Sequence, residues 1–250
     1  MEIQLELDIL RQPDNTSCGP TCLQAIYRYY GQELALEQVI AEVDALDEGG
    51  TLEILLGCHA LKRGFQATIF SYNVQIFDPT WYQLSPDGLK RRLERQRSAK
   101  PSAKLHLATS AYLEFLDRGG RISFEDLSGE LLERHLTENR PILAGLSATY
   151  LYKSSREYGP RGEPDDIRGL PVGHFVVLCG YDRKSRRVLL ADPMHPNPLS
   201  QTHTYAVDID RLVGAIFLGA VTHDANLLVI EPELKKVKKK RVRPSGCGSV

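Results

Sequence analysis

The residue in this sequence best suited to bond-making chemistry is Cys18, in "RQPDNTSCGPTCLQAIYRYYG" at 11–31. It stands directly before Gly19-Pro20 and a stretch patterned as a helix, with Pro20 near its start and Gly31 at its end. A thiol at a helix N-terminus meets unpaired N–H groups and the positive end of the helix dipole, and both favour the reactive thiolate. The plainer alternative is a small buried hydrophobe, the commonest role of a free cysteine. Cys22 lies one turn further on, is expected to face the core, and with Cys18 alone makes a poor metal pair.

A thiol nucleophile needs a base, and the base needs an orienting acceptor. Of seven histidines, His59, His106 and His135 fall on charged or amphipathic helical stretches, which points to surface roles. His195, His203 and His223 fall in loops or at strand edges with no evident partner. His174 is different. It opens the apolar pattern "HFVVLCGYD" immediately after Gly173 and a long loop. Asp192 closes the next strand pattern, "VLLADP". A hairpin of these two strands would bring their ends together, so that Asp192 holds the imidazole by the nitrogen distal to the sulfur. A strand-edge histidine and a turn Asp-Pro would look the same in sequence. Gln12, six residues before Cys18, carries an amide able to donate to a developing oxyanion together with the Cys18 N–H. By itself, a glutamine before proline is only a loop residue.

The elements that would position these groups read as follows. "IQLELDIL" alternates as a short strand, and the helix after Cys18 is followed by "ELALEQVIAEV", a second helix stopped by "DEGG". Thr51 is placed to cap a third helix, "LEILLGCHALKRG", before the strand "FQATIFSYN". Three charged helical stretches then span roughly 75–135 and read as a helical insertion or cap, with Ser123 and Asp126 as a capping pair for the third. After Pro141 the chain turns strand-rich: "PILAGLSATYLY", then "GHFVVLCGYD" and "RRVLLADP" joined by a hairpin loop, then a strand leading into a short helix, then "NLLVIEP". Helices first and antiparallel strands later make an α+β pattern. The Gly-, Pro- and charge-rich segment before His174 reads as a long loop, and long loops in compact domains are often functional.

With 250 residues, the chain suits one domain, at 1–234, carrying that insertion. Its net charge of −1 hides an asymmetry. The run "KKVKKKRVR" at 235–243 carries seven positive charges and leaves the rest at about −8, which disfavours general nucleic-acid binding by the body. Residues 235–250 read as a disordered basic tail; attachment to anionic lipid or nucleic acid is the second reading. Lipidation at Cys247 is discounted because Gly248 and Ser249 are not aliphatic. Five cysteines form no disulfide framework, and neither a signal peptide nor a membrane span is evident, so a reducing cytoplasm is expected.

"QPDNTSCGPTCL", then "GHFVVLCGYD", then "LLADP" together resemble the C39-like cysteine peptidases of the papain-like clan. The resemblance implies a papain-like fold, with an N-terminal helical half packed on an antiparallel sheet. It implies Cys18 as nucleophile, His174 as general base and acid, Asp192 as orienter and Gln12 as the oxyanion-hole residue. The likeness is to stand-alone bacterial members without a transporter domain, some of them encoded near ATP-grasp peptide ligases, which would make such a ligase system a partner. The expected activity is hydrolysis of a peptide or amide bond through a Cys18 acyl-enzyme, with no cofactor or metal. The rivals are acyl transfer to an amine, as in a transpeptidase or transglutaminase, and a module that binds peptide without cleaving it.

Overall fold

The structure is a computed structural model and describes residues 1–46, 49–159 and 161–233. In chain order it runs β1 (Ile3–Gln4), α1 (Cys18–Tyr29), α2 (Leu36–Glu42), α3 (Glu53–Lys62), β2 (Phe65–Ser71), α4 (Pro86–Ala99), α5 (Ala103–Asp117), β3 (Arg121–Ser123) and α6 (Gly129–Thr137). There follow β4 (Ile142–Ser147), α7 (Ala148–Tyr152), β5 (Glu157–Tyr158), β6 (Glu163–Pro164), β7 (Gly173–Asp182), β8 (Arg187–Ala191), β9 (Thr204–Asp208), α8 (Ile209–Leu218) and β10 (Asn226–Pro232). The main sheet has the order β3-β2-β10-β4-β7-β8-β9, with β1 added alongside β7. All its pairings are antiparallel except β2 with β3. This is the expected α+β architecture.

The central strands are apolar because helices cover them. Every residue of β4 is buried, as are eight consecutive residues of β7, from His174 to Tyr181. Such runs lose the inside–outside alternation of a half-exposed strand. The helix α1 packs across β7, and α8 packs across β4. Gly19 permits the first contact. A Cβ there would lie 2.8 Å from Thr51 Cγ2 and 3.1 Å from Phe175, closer than packed carbon atoms tolerate.

Several local expectations are corrected. Thr51 does not cap α3; its hydroxyl donates to the Asp44 carbonyl at 2.8 Å and closes the preceding loop, leaving Leu52 as the N-cap. Ser123 ends β3, and Ser128 caps α6 instead, accepting from the Leu131 N–H at 3.2 Å. The stretch at 75–135 is therefore not all helix: β3 joins the main sheet beside β2, and α5 packs on α3. The apolar run after Pro141 breaks into β4 and α7, because the Ser147 hydroxyl accepts from the Tyr150 N–H at 3.3 Å and starts a helix. The long loop before His174 contains the β5–β6 hairpin. The tail at 235–250 lies outside the described residues.

Candidate active site

The first turn of α1 presents Cys18 at its N-terminus. The helix is fixed in place one turn later, where the buried Cys22 thiol donates to the Phe175 carbonyl at 3.3 Å. Phe175 follows His174 directly, so one bond links the helix that begins at Cys18 to the strand that carries the imidazole. Sequence patterning expected Cys22 toward the core, and it is there, fully enclosed.

His174 and Asp192 meet because of the sheet register. Val177 on β7 opposes Ala191 on β8. Extending that register puts Asp192 opposite Val176, two residues from His174 on the same face, within diagonal reach of a long side chain. The imidazole Nε2 lies 2.9 Å from Asp192 Oδ1, and both side chains are buried. Cys18 is the other neighbour that favours the charged form of the ring. Burial opposes the charge on His174, but the Asp192 carboxylate and then Cys18 outweigh it and raise the imidazole to about 10. Burial likewise opposes the charge on Asp192, but the imidazolium and the surrounding donors hold it down at about 2. The charged pair is the stable one, as the bond requires.

Asp192 is held from every side. Tyr152 and Tyr205 donate their phenol hydroxyls to Oδ2 at 2.7 and 2.6 Å, and Asn197 Nδ2 donates to the same oxygen at 2.9 Å. The Met194 N–H donates to Oδ1 at 3.0 Å. These donors come from α7, β9 and the loop between β8 and β9, and sequence reading named none of them as site residues. No local motif marks them; only a sheet in register shows that three distant segments converge. His203, expected to lack a partner, pairs its Nδ1 with the Asp192 carbonyl at 2.8 Å.

Gln12 is tied to the same corner, its N–H donating to the Pro193 carbonyl at 3.0 Å. Its side chain is buried and its Nε2 donates to the Asp14 carbonyl at 2.8 Å. That leaves one amide hydrogen for another acceptor. It makes no hydrogen bond to Cys18, His174 or Asp192 among the described residues. The remaining histidines are placed elsewhere. His106 is exposed, as expected. His59 and His135 are buried, against expectation. His59 is enclosed because both ring nitrogens are partnered, by Tyr27 at 2.8 Å and Glu42 at 3.0 Å; His135 lies on the inner face of α6, edge-on to Phe70. Among the described residues no His, Cys, Asp and Glu cluster forms a metal site. No helix there is long and apolar enough to cross a membrane.

Beside Cys18 a cleft of about 220 Å³ is lined by Thr16, Gly50, Lys104, Gly173, Phe175 and Asp224, among others. Two family models match the chain, and each carries half of the constellation. The model for the peptidase C39 family matches residues 6–84, which hold Gln12 and Cys18. The model for the peptidase C39-like family matches 99–212, which hold His174 and Asp192. Both models are of C39-type peptidases, and they match the chain over 6–84 and 99–212. With that family comes the activity class, a cysteine-type peptidase. Among solved structures, the chain is similar to one described as a C39-like peptidase from Bacillus anthracis, at 14% identity and a TM-score of 0.50, over 93% of this chain and 98% of that one. That likeness shows the fold. It is also similar to xylellain, a cysteine protease from Xylella fastidiosa, at 13% identity and a TM-score of 0.41, over 92% of this chain and 85% of that one. No curated protein matches the chain.

Proposed function

We propose that this C39-type peptidase cleaves a peptide or amide bond through an acyl-enzyme on Cys18. The observation that carries the reading is the convergence of Cys18, His174 and Asp192, in which the imidazole is held by a carboxylate at 2.9 Å and has Cys18 as a further neighbour favouring its charge. His174 holds the proton taken from Cys18 as an imidazolium, and the thiolate sulfur attacks the carbonyl carbon. The Cys18 N–H, unpaired at the helix start, and the free amide hydrogen of Gln12 receive the oxyanion. The imidazolium, held in its charged form by Asp192, protonates the departing amine, and water then attacks the thioester with His174 as base. Asp192 stays ionised throughout and fixes the ring. The substrate is a peptide or protein. The cytoplasm suits the chain, because Cys18, Cys22, Cys58 and Cys179 are all unpaired thiols.

The Gln12 role separates this reading from a merely reactive thiol. Gln12→Ala should lower kcat by ~10²–10³, the usual worth of one oxyanion donor, with a smaller effect on KM. Alkylation of Cys18 by iodoacetamide should keep its rate, because that reaction develops no oxyanion. Equal losses in both assays would make Gln12 a support for the start of α1 and remove it from the mechanism.

A further inference from the structure

The cleft beside Cys18 has a charged wall that the triad does not use. Asp224 lines it, and its side chain is only 6% exposed. Its position is built into the backbone. A Cβ on Gly173 would lie 2.0 Å from Asp224 Oδ2, and a Cβ on Gly145 would lie 2.2 Å from the Asp224 carbonyl. Glycine at both places lets the Asp224 carboxylate rest against the chain immediately before His174. His223, just before it, takes a left-handed backbone with φ of 71°, an uncommon conformation for a non-glycine residue.

This carboxylate is poorly matched by the protein around it. Thr222 stands beside it, but the one proton of that hydroxyl is donated to the Gly219 carbonyl at 3.0 Å. Lys104, exposed and lining the same cleft, bonds the Thr222 carbonyl at 3.4 Å and forms no ion pair with Asp224 among the described residues. A second acid close enough to feel its charge is Glu53, fully enclosed; burial first and the Asp224 charge second push it well above the ordinary carboxylate range. Burial raises Asp224 itself to about 7, against the pull of Thr222, Lys104 and His174. A carboxylate has about four lone-pair sites, and a buried one left without a counter-charge is costly. A group that brings a positive charge and several N–H donors into the cleft recovers that cost.

Resting on the reading of Cys18 as the nucleophile, we propose that Asp224 is a specificity residue that receives a primary ammonium group of the substrate beside the scissile carbonyl. The ammonium is either a free amino terminus or a lysine-type side chain; both present three donors on a compact cation. Lys104, which lines the same cleft, repels the same group and sets the margin of selection.

The test reads charge at Cys18 without needing the natural substrate. Cys18 is reacted at pH 8 with (2-aminoethyl) and (2-sulfonatoethyl) methanethiosulfonate, which differ mainly in the sign of their charge. In each reaction the sulfur attacks the thiosulfonate, a mixed disulfide forms and methanesulfinate leaves. The ratio of cationic to anionic rates should fall roughly tenfold in Asp224→Asn and rise in Lys104→Gln, an exposed change that spares the core. An unchanged ratio in both variants overturns the proposal. Failure of Cys18 to react with either reagent instead overturns the nucleophile assignment. Short peptides then separate the two sources of the ammonium. A drop in kcat/KM on acetylating the terminus assigns the terminus, and a drop on replacing lysine by norleucine assigns the side chain. Indifference to both changes overturns the proposal.

Discussion

Cys18→Ala should abolish peptide turnover while leaving the melting temperature within a few degrees of the parent. The thiol contributes little burial energy that alanine does not keep, since both are small, and Cys18 sits at the edge of the core with 9% of its surface exposed. Catalytically the loss is large because nucleophile and base act as one unit. Deleting one member of such a unit elsewhere costs up to about 10⁶ in kcat. The control is Cys22→Ala. That thiol is fully enclosed, and burial raises it well above the ordinary range, with the Cys18 charge adding to the effect. Its removal deletes the bond to the Phe175 carbonyl, so it should lower stability and spare most of the turnover. Loss of turnover in Cys22→Ala with retention in Cys18→Ala would exchange their roles. Activity is followed with a peptide substrate and stability by thermal melting.

Asp192→Ala should be the most damaging single change to the fold of the site. It leaves the buried His174 ring, two phenol hydroxyls, the Asn197 amide and the Met194 N–H without their common acceptor. Removing one partner of a buried, hydrogen-bonded charge pair typically costs about 3–5 kcal/mol. Turnover should fall too, by as much as about 10⁴ if the imidazole behaves like that of a serine triad deprived of its acceptor. The stability part depends on pH in a definite direction. Asp192 is lowered from its ordinary 3.8, so its contribution is present above that value and is lost as pH falls toward about 2. His174 is raised from its ordinary 6.5, so its contribution is complete below that value and is lost as pH rises toward about 10. The difference in unfolding free energy between parent and Asp192→Ala should therefore be largest between about 4 and 6.5 and shrink on both sides. Denaturant titrations across that range check it. A difference that does not vary with pH would mean that Asp192 acts through packing alone.

The residues proposed for the site were largely legible in the sequence, and the groups that hold them were not. Cys18 before a helix, His174 opening a strand and Asp192 closing the next are each visible because they sit where a periodic pattern begins or ends. Joining them needed only the assumption of a hairpin, and the β7–β8 register supplies it. Tyr152, Tyr205 and Asn197 carry no such mark. They reach Asp192 from segments up to 53 residues apart in sequence, and their role exists only once β7, β8 and β9 are side by side. Asp224 was hidden for the same reason: it reaches the cleft through a turn after α8 and through the two glycines that leave room for it.

Errors of local reading have physical causes as well. Thr51 and Ser123 both have the right chemistry for a helix cap, but a hydroxyl caps only where the chain enters a helix at that residue. Thr51 is drawn to the Asp44 carbonyl, and Ser123 lies in β3. His59 looked like a surface residue among charged neighbours. It is buried because Tyr27 and Glu42 satisfy both ring nitrogens, so enclosure leaves neither nitrogen unpaired.

The central claim is that the reaction passes through a thioester on Cys18. The most direct measurement is an acid quench in the steady state with a peptide ester or amide, followed by proteolysis and mass mapping of every cysteine. The account predicts an acyl mass on the peptide containing Cys18, sensitive to hydroxylamine, absent in Cys18→Ala and enriched when deacylation is slow. An acyl mass on Cys22, Cys58 or Cys179 instead, or turnover that persists in Cys18→Ala with no acyl-cysteine at any position, would contradict it.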